Sequence, residues 1–434
     1  MGDRPWSCRS CPPGAGCADE ARGIVRLTRN PLYRWIVVGM AFLAVLAAVG
    51  FGRFGYGAIL PSMQKSLGLN GAEAGSLASW NQVGYTLMAL VGGILASRLG
   101  ARIIVSIGLF LTAVAMFGTG LANGLGVASV ARFLTGAGTA MVMGPSIALM
   151  AAWFEPRRLG MASGIVPTGA SLALVLVGPV VPRLIAAGGG EGWRLAWYLF
   201  AGITFLVAIA STFAQRDRPH VQRGAKVARL TYSDLRDIAR SRWAWLLGTV
   251  YFMYGFAFLL FFTFFQKRLT IDLGYSSDMA GNLFLVVGAT GVAAGVLWGR
   301  VSDSVGRAPT LAAILFVQAA IALVFALVHS LPALVAASAV FGLSGMGVPG
   351  LFGAACGDRF GARLAAASLG FVTVFVGVGQ IIGPYVGGAL EDSFSSLAPS
   401  YVTSAGVFAL AGVLALLLRD SRPAMQAAHT SSPS

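Results

Sequence analysis

The chain has 434 residues, 56% of them hydrophobic and 58 of them glycine, with a mean hydropathy of +0.77. A soluble domain runs nearer ~45–50% apolar with ~7% glycine, so the composition excludes an ordinary water-soluble enzyme or binding module. The formal charge of +15 would suit a nucleic-acid binder only if the basic residues shared one face; they sit in short clusters between apolar runs, so the expected partner is a lipid bilayer and not nucleic acid.

Residues 1–34 are rich in Pro, Gly and Arg without apolar periodicity and read as a disordered tail. Its Cys8, Cys11 and Cys17 make at most half a zinc site, because no second CxxC or neighbouring His completes four ligands; no metal or other cofactor is expected. The first apolar run, 35–60, is too long for a signal-peptide core and has no obvious cleavage site. Runs able to cross about 30 Å of hydrocarbon continue at 74–96, 101–122, 127–153, 160–182 and 193–214. Residues 215–242 carry eight basic residues and read as a central loop, with Leu230 to Ile238 predicted as a short amphipathic helix at the lipid surface. Six more spans follow at 243–265, 279–298, 309–328, 332–355, 364–387 and 401–418, then a tail over 419–434. The expected architecture is an all-α integral membrane protein whose twelve spans form two six-helix bundles, 35–214 and 243–418.

Twelve spans place both termini on one side. That side holds 24 of the 31 Lys and Arg residues, against five on the other. Positive loops face the cytoplasm, so both termini are expected there, in the cytoplasmic membrane.

A pattern repeats in the two halves. Gly93-Ile-Leu-Ala-Ser97-Arg98-Leu-Gly100 between spans two and three corresponds to Gly299-Arg-Val-Ser-Asp303-Ser-Val-Gly306-Arg307 between spans eight and nine. Gly164 likewise matches Gly370, and Gly178-Pro179 matches Gly383-Pro384. Duplicated parallel halves with a site between them at mid-depth are one architecture of secondary transporters.

These hairpins resemble motif A of the major facilitator superfamily, and Arg132-Phe-Leu-Thr-Gly136-Ala-Gly138 in span four is similar to its motif B. The resemblance covers roughly residues 34–420 and implies a transporter in which spans 1, 4, 7 and 10 line a central cavity. It also implies that the motif A carboxylate latches the two halves together on the cytoplasmic side. That position is Ser97 in the first copy and Asp303 only in the second, so the first latch is expected to be weaker. The glycine spacing of motif C, linked to exporters when it lies in span five, falls here in span eleven around Gly383-Pro384.

Of the sixteen carboxylates, ten fall on the side of the termini and six on the other, leaving none inside the bilayer. What remains inside is positive: Arg53 and Arg132, both placed in the half of the membrane away from the termini, Arg53 being about 27 Å along its helix from Trp35. An intramembrane arginine costs about 2.5 kcal/mol or more unless it finds a partner, which points to a carboxylate-bearing substrate held by a guanidinium pair. Arg132 has a competing structural use, since motif B arginines also brace the first helix. Tyr56, three residues after Arg53, is expected on the same helix face, and Asn81 and Tyr85 on one face of span two. Tyr251 and Tyr254 form an aromatic stripe in span seven that serves as packing or as a binding wall, and Gln380 in span eleven carries the same ambiguity.

With no nucleophile and base pair, phosphate loop or metal cluster, an enzyme is not expected. The favoured reading is a monomeric secondary transporter moving a small organic anion, of monocarboxylate or aromatic-acid type, by alternating access, with a coupled proton left open. An exporter of drug-like metabolites is the alternative, and a transport-incompetent sensor or scaffold a lesser one.

Overall fold

The computed structural model describes residues 32–216 and 232–418, and these are helical throughout, with no strand among them. The tail cysteines, most of the central loop and the final tail lie outside the described residues. Ten stretches are long and apolar enough to cross a membrane. One of them, Arg158–Ala214, is two helices separated by a short turn at Gly189–Glu191. Gly71–Leu99 is a further spanning helix, less apolar because Ser79, Asn81 and Gln82 turn inward and are buried. Twelve spans result.

In chain order they are α1 (Tyr33–Leu67), α2 (Gly71–Leu99), α3 (Ala101–Gly120), α4 (Leu125–Trp153), α5 (Pro156–Gly188) and α6 (Gly192–Ala214). The second half holds α7 (Arg242–Thr263), α8 (Ser277–Val305), α9 (Arg307–Leu327), α10 (Leu331–Gly361), α11 (Arg363–Phe394) and α12 (Ala398–Leu416). Ahead of α7, a surface helix spans Tyr232–Arg240, and its Asp234 accepts a 2.7 Å bond from Arg363 at the start of α11.

Most helices outlast the apolar runs that mark them. α1 was expected over 35–60 and extends to Leu67, because the amphipathic turn around Gln64 and Lys65 stays helical after leaving the hydrocarbon. It contains a π-helical segment, Leu46–Phe54. Two carbonyls there bond side chains of α4 and not only helix N–H groups: Gly52 accepts from Arg132 at 2.6 Å and Ala48 from Thr139 at 3.2 Å. Such insertions into the helical ladder accompany wide turns at functional sites.

The repeated hairpins are built alike. Gly100 and Gly306 adopt φ of 96° and 104°, a region L side chains rarely enter, and each starts the next helix without a longer loop. Asp303 pairs with Arg307 at 2.7 Å, and Arg307 with Asp358 at 2.9 Å, all within the second bundle. The surroundings of Gly93 and the side chain of Ser97 lie outside those described; Arg98 is exposed.

The halves meet along two seams, α2 with α11 and α5 with α8. On the second, Gly178, Ser171 and Gly164 follow one another at seven-residue spacing on α5, as do Gly281, Gly288 and Gly295 on α8. At the face away from the termini the seam is closed: a Cβ added at Gly178 would lie 2.3 Å from the Gly281 carbonyl oxygen, and one at Gly288 2.6 Å from that of Ser171. Toward the terminal face, Cβ atoms at Gly164 and Gly295 would meet nothing within 4 Å. The bundles therefore splay apart toward the terminal face and touch from mid-depth outward.

The α2–α11 seam repeats this. Cβ atoms at Gly75 and Gly388 would lie 2.1 Å from the Pro384 carbonyl oxygen and 1.9 Å from that of Gly71. Asp392 then accepts from the first amides of α2, Gly71 at 2.6 Å and Ala72 at 2.8 Å, where the helix dipole favours an anion. Glu391 pairs with Lys267 beside it. The carboxylate joining the halves in this conformation is thus Asp392 on the far face. Among the described residues the terminal face is open and Asp303 pairs with Arg307 of its own bundle, so the Asp303 position does not latch the halves in this conformation.

Candidate substrate site

Arg53 lies in the last turn of the π-helical segment of α1 and is half-buried between the bundles. One Nη donates to Oε1 of Gln380 on α11 at 2.8 Å, and Nε2 of Gln82 on α2 donates to the same oxygen at 2.7 Å. The guanidinium lies over the Tyr85 ring, 5.0 Å from its centre, and 5.4 Å from that of Phe54. Its Nε and the Gln82 Oε1 are buried without partners. The ionisable neighbours within electrostatic reach are Tyr85, Tyr251 and Tyr254, together with the like-charged Arg132. Among the described residues, no carboxylate neutralises Arg53.

Tyr85 and Gln380 stand near the midpoints of α2 and α11, so the cluster lies at mid-depth. Along α1 itself Arg53 stands three residues beyond the midpoint, toward the face away from the termini.

Arg132 is 1% exposed and belongs to a different structure. It donates to the Gly52 carbonyl, lies 4.7 Å from the Tyr56 ring centre and 5.3 Å from that of Trp197, and its own carbonyl accepts from Asn81 at 3.1 Å. Tyr56 is buried and donates to the Ala74 carbonyl at 2.6 Å. Arg132, Tyr56 and Asn81 thus form a sealed brace within the first bundle, leaving Arg53 as the guanidinium between the halves. Arg53 and Tyr56 both reach α2, but Arg53 goes on to Gln380 of α11 whereas Tyr56 is spent on the Ala74 carbonyl inside the first bundle. Asn81 and Tyr85 share a face of α2 but not a role, Asn81 being buried with its amide on the Arg132 carbonyl and Tyr85 lying under Arg53. Gly136 and Gly138 serve the brace, since Cβ atoms there would lie 1.8 Å from the Asn81 carbonyl oxygen and 2.4 Å from Oγ1 of Thr112.

The second bundle supplies an aromatic ladder. Tyr251 stacks on Phe352 with centroids 3.8 Å apart, Tyr254 stacks on Phe258 at 5.3 Å, and Phe258 on Phe341 at 5.5 Å. Tyr254 donates to the Gly345 carbonyl at 2.8 Å, where α10 breaks before Val348, so the hydroxyl satisfies a helix end. Gly383 lets α11 approach α7, its Cβ position lying 2.3 Å from the Phe256 carbonyl oxygen. A separate cavity of about 730 Å³ opens at the far face among Pro61, Lys65, Gln266, Thr270 and Tyr275, and Arg53 does not line it.

Gln82 is the member of the cluster that the sequence expectations left out. Its polarity within an apolar helix was the available signal, but Asn81 beside it carries the same signal, and only the fold separates them.

Two duplicated six-helix bundles meeting at a mid-depth polar cluster define a transporter of the major facilitator superfamily. Within it, the chain belongs to the family described as uncharacterised MFS-type transporter YbfB, whose profile matches residues 45–416. It is therefore a multi-pass membrane transporter and not an enzyme. Among relatives, it is 24% identical over 390 residues to the oxalate:formate antiporter of Oxalobacter formigenes, covering 87% of this chain and 90% of that one. It is 26% identical over 419 residues to a putative tartrate transporter of Agrobacterium vitis, covering 88% and 93%. Among solved structures, a bacterial homologue of the human lysosomal transporter Spinster superimposes with a TM-score of 0.74 at 16% identity, covering 90% of this chain and 97% of that one. The nucleoside transporter NupG gives 0.73 at 11% identity, covering 89% and 99%. These two likenesses concern the fold.

Proposed function

We propose that this protein is a secondary transporter of small organic anions, of monocarboxylate or aromatic-acid type, working by alternating access of its two bundles. The observation that carries the reading is Arg53: a half-buried guanidinium at mid-depth between the halves, with an unpartnered Nε and, among the described residues, no carboxylate neighbour. A carboxylate supplies the missing charge and can engage Nε and Nη together. Sequestration of Arg132 leaves one such guanidinium, which fits a single carboxylate contact. The relatives named for oxalate, formate and tartrate support the same substrate class. With positive loops inside, both termini are cytoplasmic and the splayed face opens to the cytoplasm. The protein acts as a monomer in the cytoplasmic membrane, and any coupled proton has no intramembrane carboxylate to ride on.

The aromatic ladder favours a second reading, export of drug-like compounds. A thermal-shift series on the purified protein with formate, oxalate, tartrate and benzoate, against tetraphenylphosphonium, separates the two. Stabilisation by acids alone, lost in Arg53→Gln, supports anion transport; stabilisation by the lipophilic cation alone overturns it.

A further inference from the structure

The seat beside Arg53 is already taken, by a side chain from the opposite half. Two donors of the first bundle, Arg53 Nη and Gln82 Nε2, converge at 2.8 and 2.7 Å on one carboxamide oxygen of Gln380. Convergence of two donors on one oxygen is how a carboxylate is received, yet an amide oxygen fills only part of the place. The guanidinium edge offers Nε together with Nη, and Nε is left buried without a partner. We propose that Gln380 is an internal stand-in for the substrate carboxylate, which must swing away before an anion binds. This rests on the reading of Arg53 as the anion site and adds what its loading does.

Exchange of occupants has a favourable direction. A neutral amide oxygen satisfies one donor of the guanidinium fork, whereas a carboxylate satisfies two and brings charge. The half-buried Gln380 amide can turn toward the open space between the bundles. Its helix is built to yield at that point: Pro384, four residues on, has no N–H for the Gln380 carbonyl, and Gly379 and Gly383 flank it. The exchange also has a mechanical consequence. Apart from the two bonds of Asp392 at the far face, the polar ties between the bundles among the described residues all end on this Gln380 oxygen. An arriving anion removes them, so occupancy loosens the mid-depth hold between the halves.

Calorimetric titration of the full-length protein with whichever of formate, oxalate, tartrate or benzoate binds most tightly tests this in wild type, Gln380→Ala, Gln380→Asn and Gln380→Glu. Removing or shortening the competitor should tighten Kd about tenfold to a hundredfold, the worth of a hydrogen bond to a charged group. Gln380→Glu, by adding a charge that satisfies Arg53 internally, should abolish binding near neutral pH and raise the melting temperature of the ligand-free protein. Gln380→Asn guards against loss of folding in Gln380→Ala, with size-exclusion profiles as the check. Weaker or unchanged binding in both shortened variants, with wild type binding the acid and Arg53→Gln not, overturns the stand-in while leaving the anion site intact. Failure of wild type to bind any acid overturns the anion site and the stand-in with it.

Discussion

A single methyl group at Gly388 should tip the balance between conformations. Its Cβ would lie 1.9 Å from the Gly71 carbonyl oxygen and 2.4 Å from the carbonyl carbon, both backbone atoms that cannot rotate aside. Restoring an ordinary contact at 3.4 Å requires the α2–α11 seam to part by about 1.5 Å. The Asp392 bonds to Gly71 and Ala72, now 2.6 and 2.8 Å, then exceed hydrogen-bonding distance. Two hydrogen bonds to a charged group are worth about 1.5–3 kcal/mol each. Allowing for replacement by water, the far-face-closed conformation loses about 2–4 kcal/mol relative to one in which that seam is open, or about thirtyfold to nearly a thousandfold in population. Gly136→Ala introduces an equally severe overlap, 1.8 Å from the Asn81 carbonyl oxygen, but inside the first bundle, where both conformations bear it. Spin labels at Lys65 and Ser277 report the far face and labels at Arg98 and Arg300 the terminal face, in a background lacking the native cysteines. Gly388→Ala should lengthen the first distance and shorten the second, while Gly136→Ala lowers the melting temperature and moves neither. Equal distance distributions in the two variants would refute the assignment of this seam as the moving one.

Asp392→Asn should shift the same distances in the same direction but less, since it removes only charge at a helix N-terminus, worth about 0.3–2 kcal/mol. Its effect should largely vanish on top of Gly388→Ala; full additivity in that double variant contradicts the shared contact. Arg132→Met should cost about 2 kcal/mol or more of stability by stripping the buried Gly52 carbonyl of its donor. The fraction that folds should keep its acid affinity by calorimetry, and selective loss of affinity would return Arg132 to the binding site. Asp303→Asn should leave both distance distributions unchanged, because its side chain is 67% exposed and its pair with Arg307 lies within one bundle, where such pairs contribute about 0–1 kcal/mol.

The apolar runs, the repeated hairpins and the lone intramembrane arginines were legible because each has a local signature: hydrocarbon demands apolar length, a positive-φ turn demands Gly100 and Gly306, and charge stands out in an apolar helix. What each polar residue touches was not. Arg53 and Tyr56 both reach α2, yet only Arg53 goes on to α11, and α1 widens over Leu46–Phe54 while Arg132 and Thr139 reach in from α4 to take its carbonyls. That demand comes from residues 80 and 91 positions away and leaves no periodic trace in α1. Gln82 and Gln380 likewise acquire their roles only by meeting each other, and Asp392 becomes an inter-bundle tie only because α2 begins beside it.

Uptake into proteoliposomes of the acid that binds most tightly, compared between wild type, Arg53→Lys and Arg53→Gln at matched reconstitution, is the most direct test of the anion site. Arg53→Gln should fall about a hundredfold or more, as expected when one partner of a desolvated charge pair is removed. Arg53→Lys should retain only partial uptake, because a lysine ammonium cannot reproduce the two-donor fork. Wild-type uptake by Arg53→Gln would contradict the claim that this guanidinium holds the substrate.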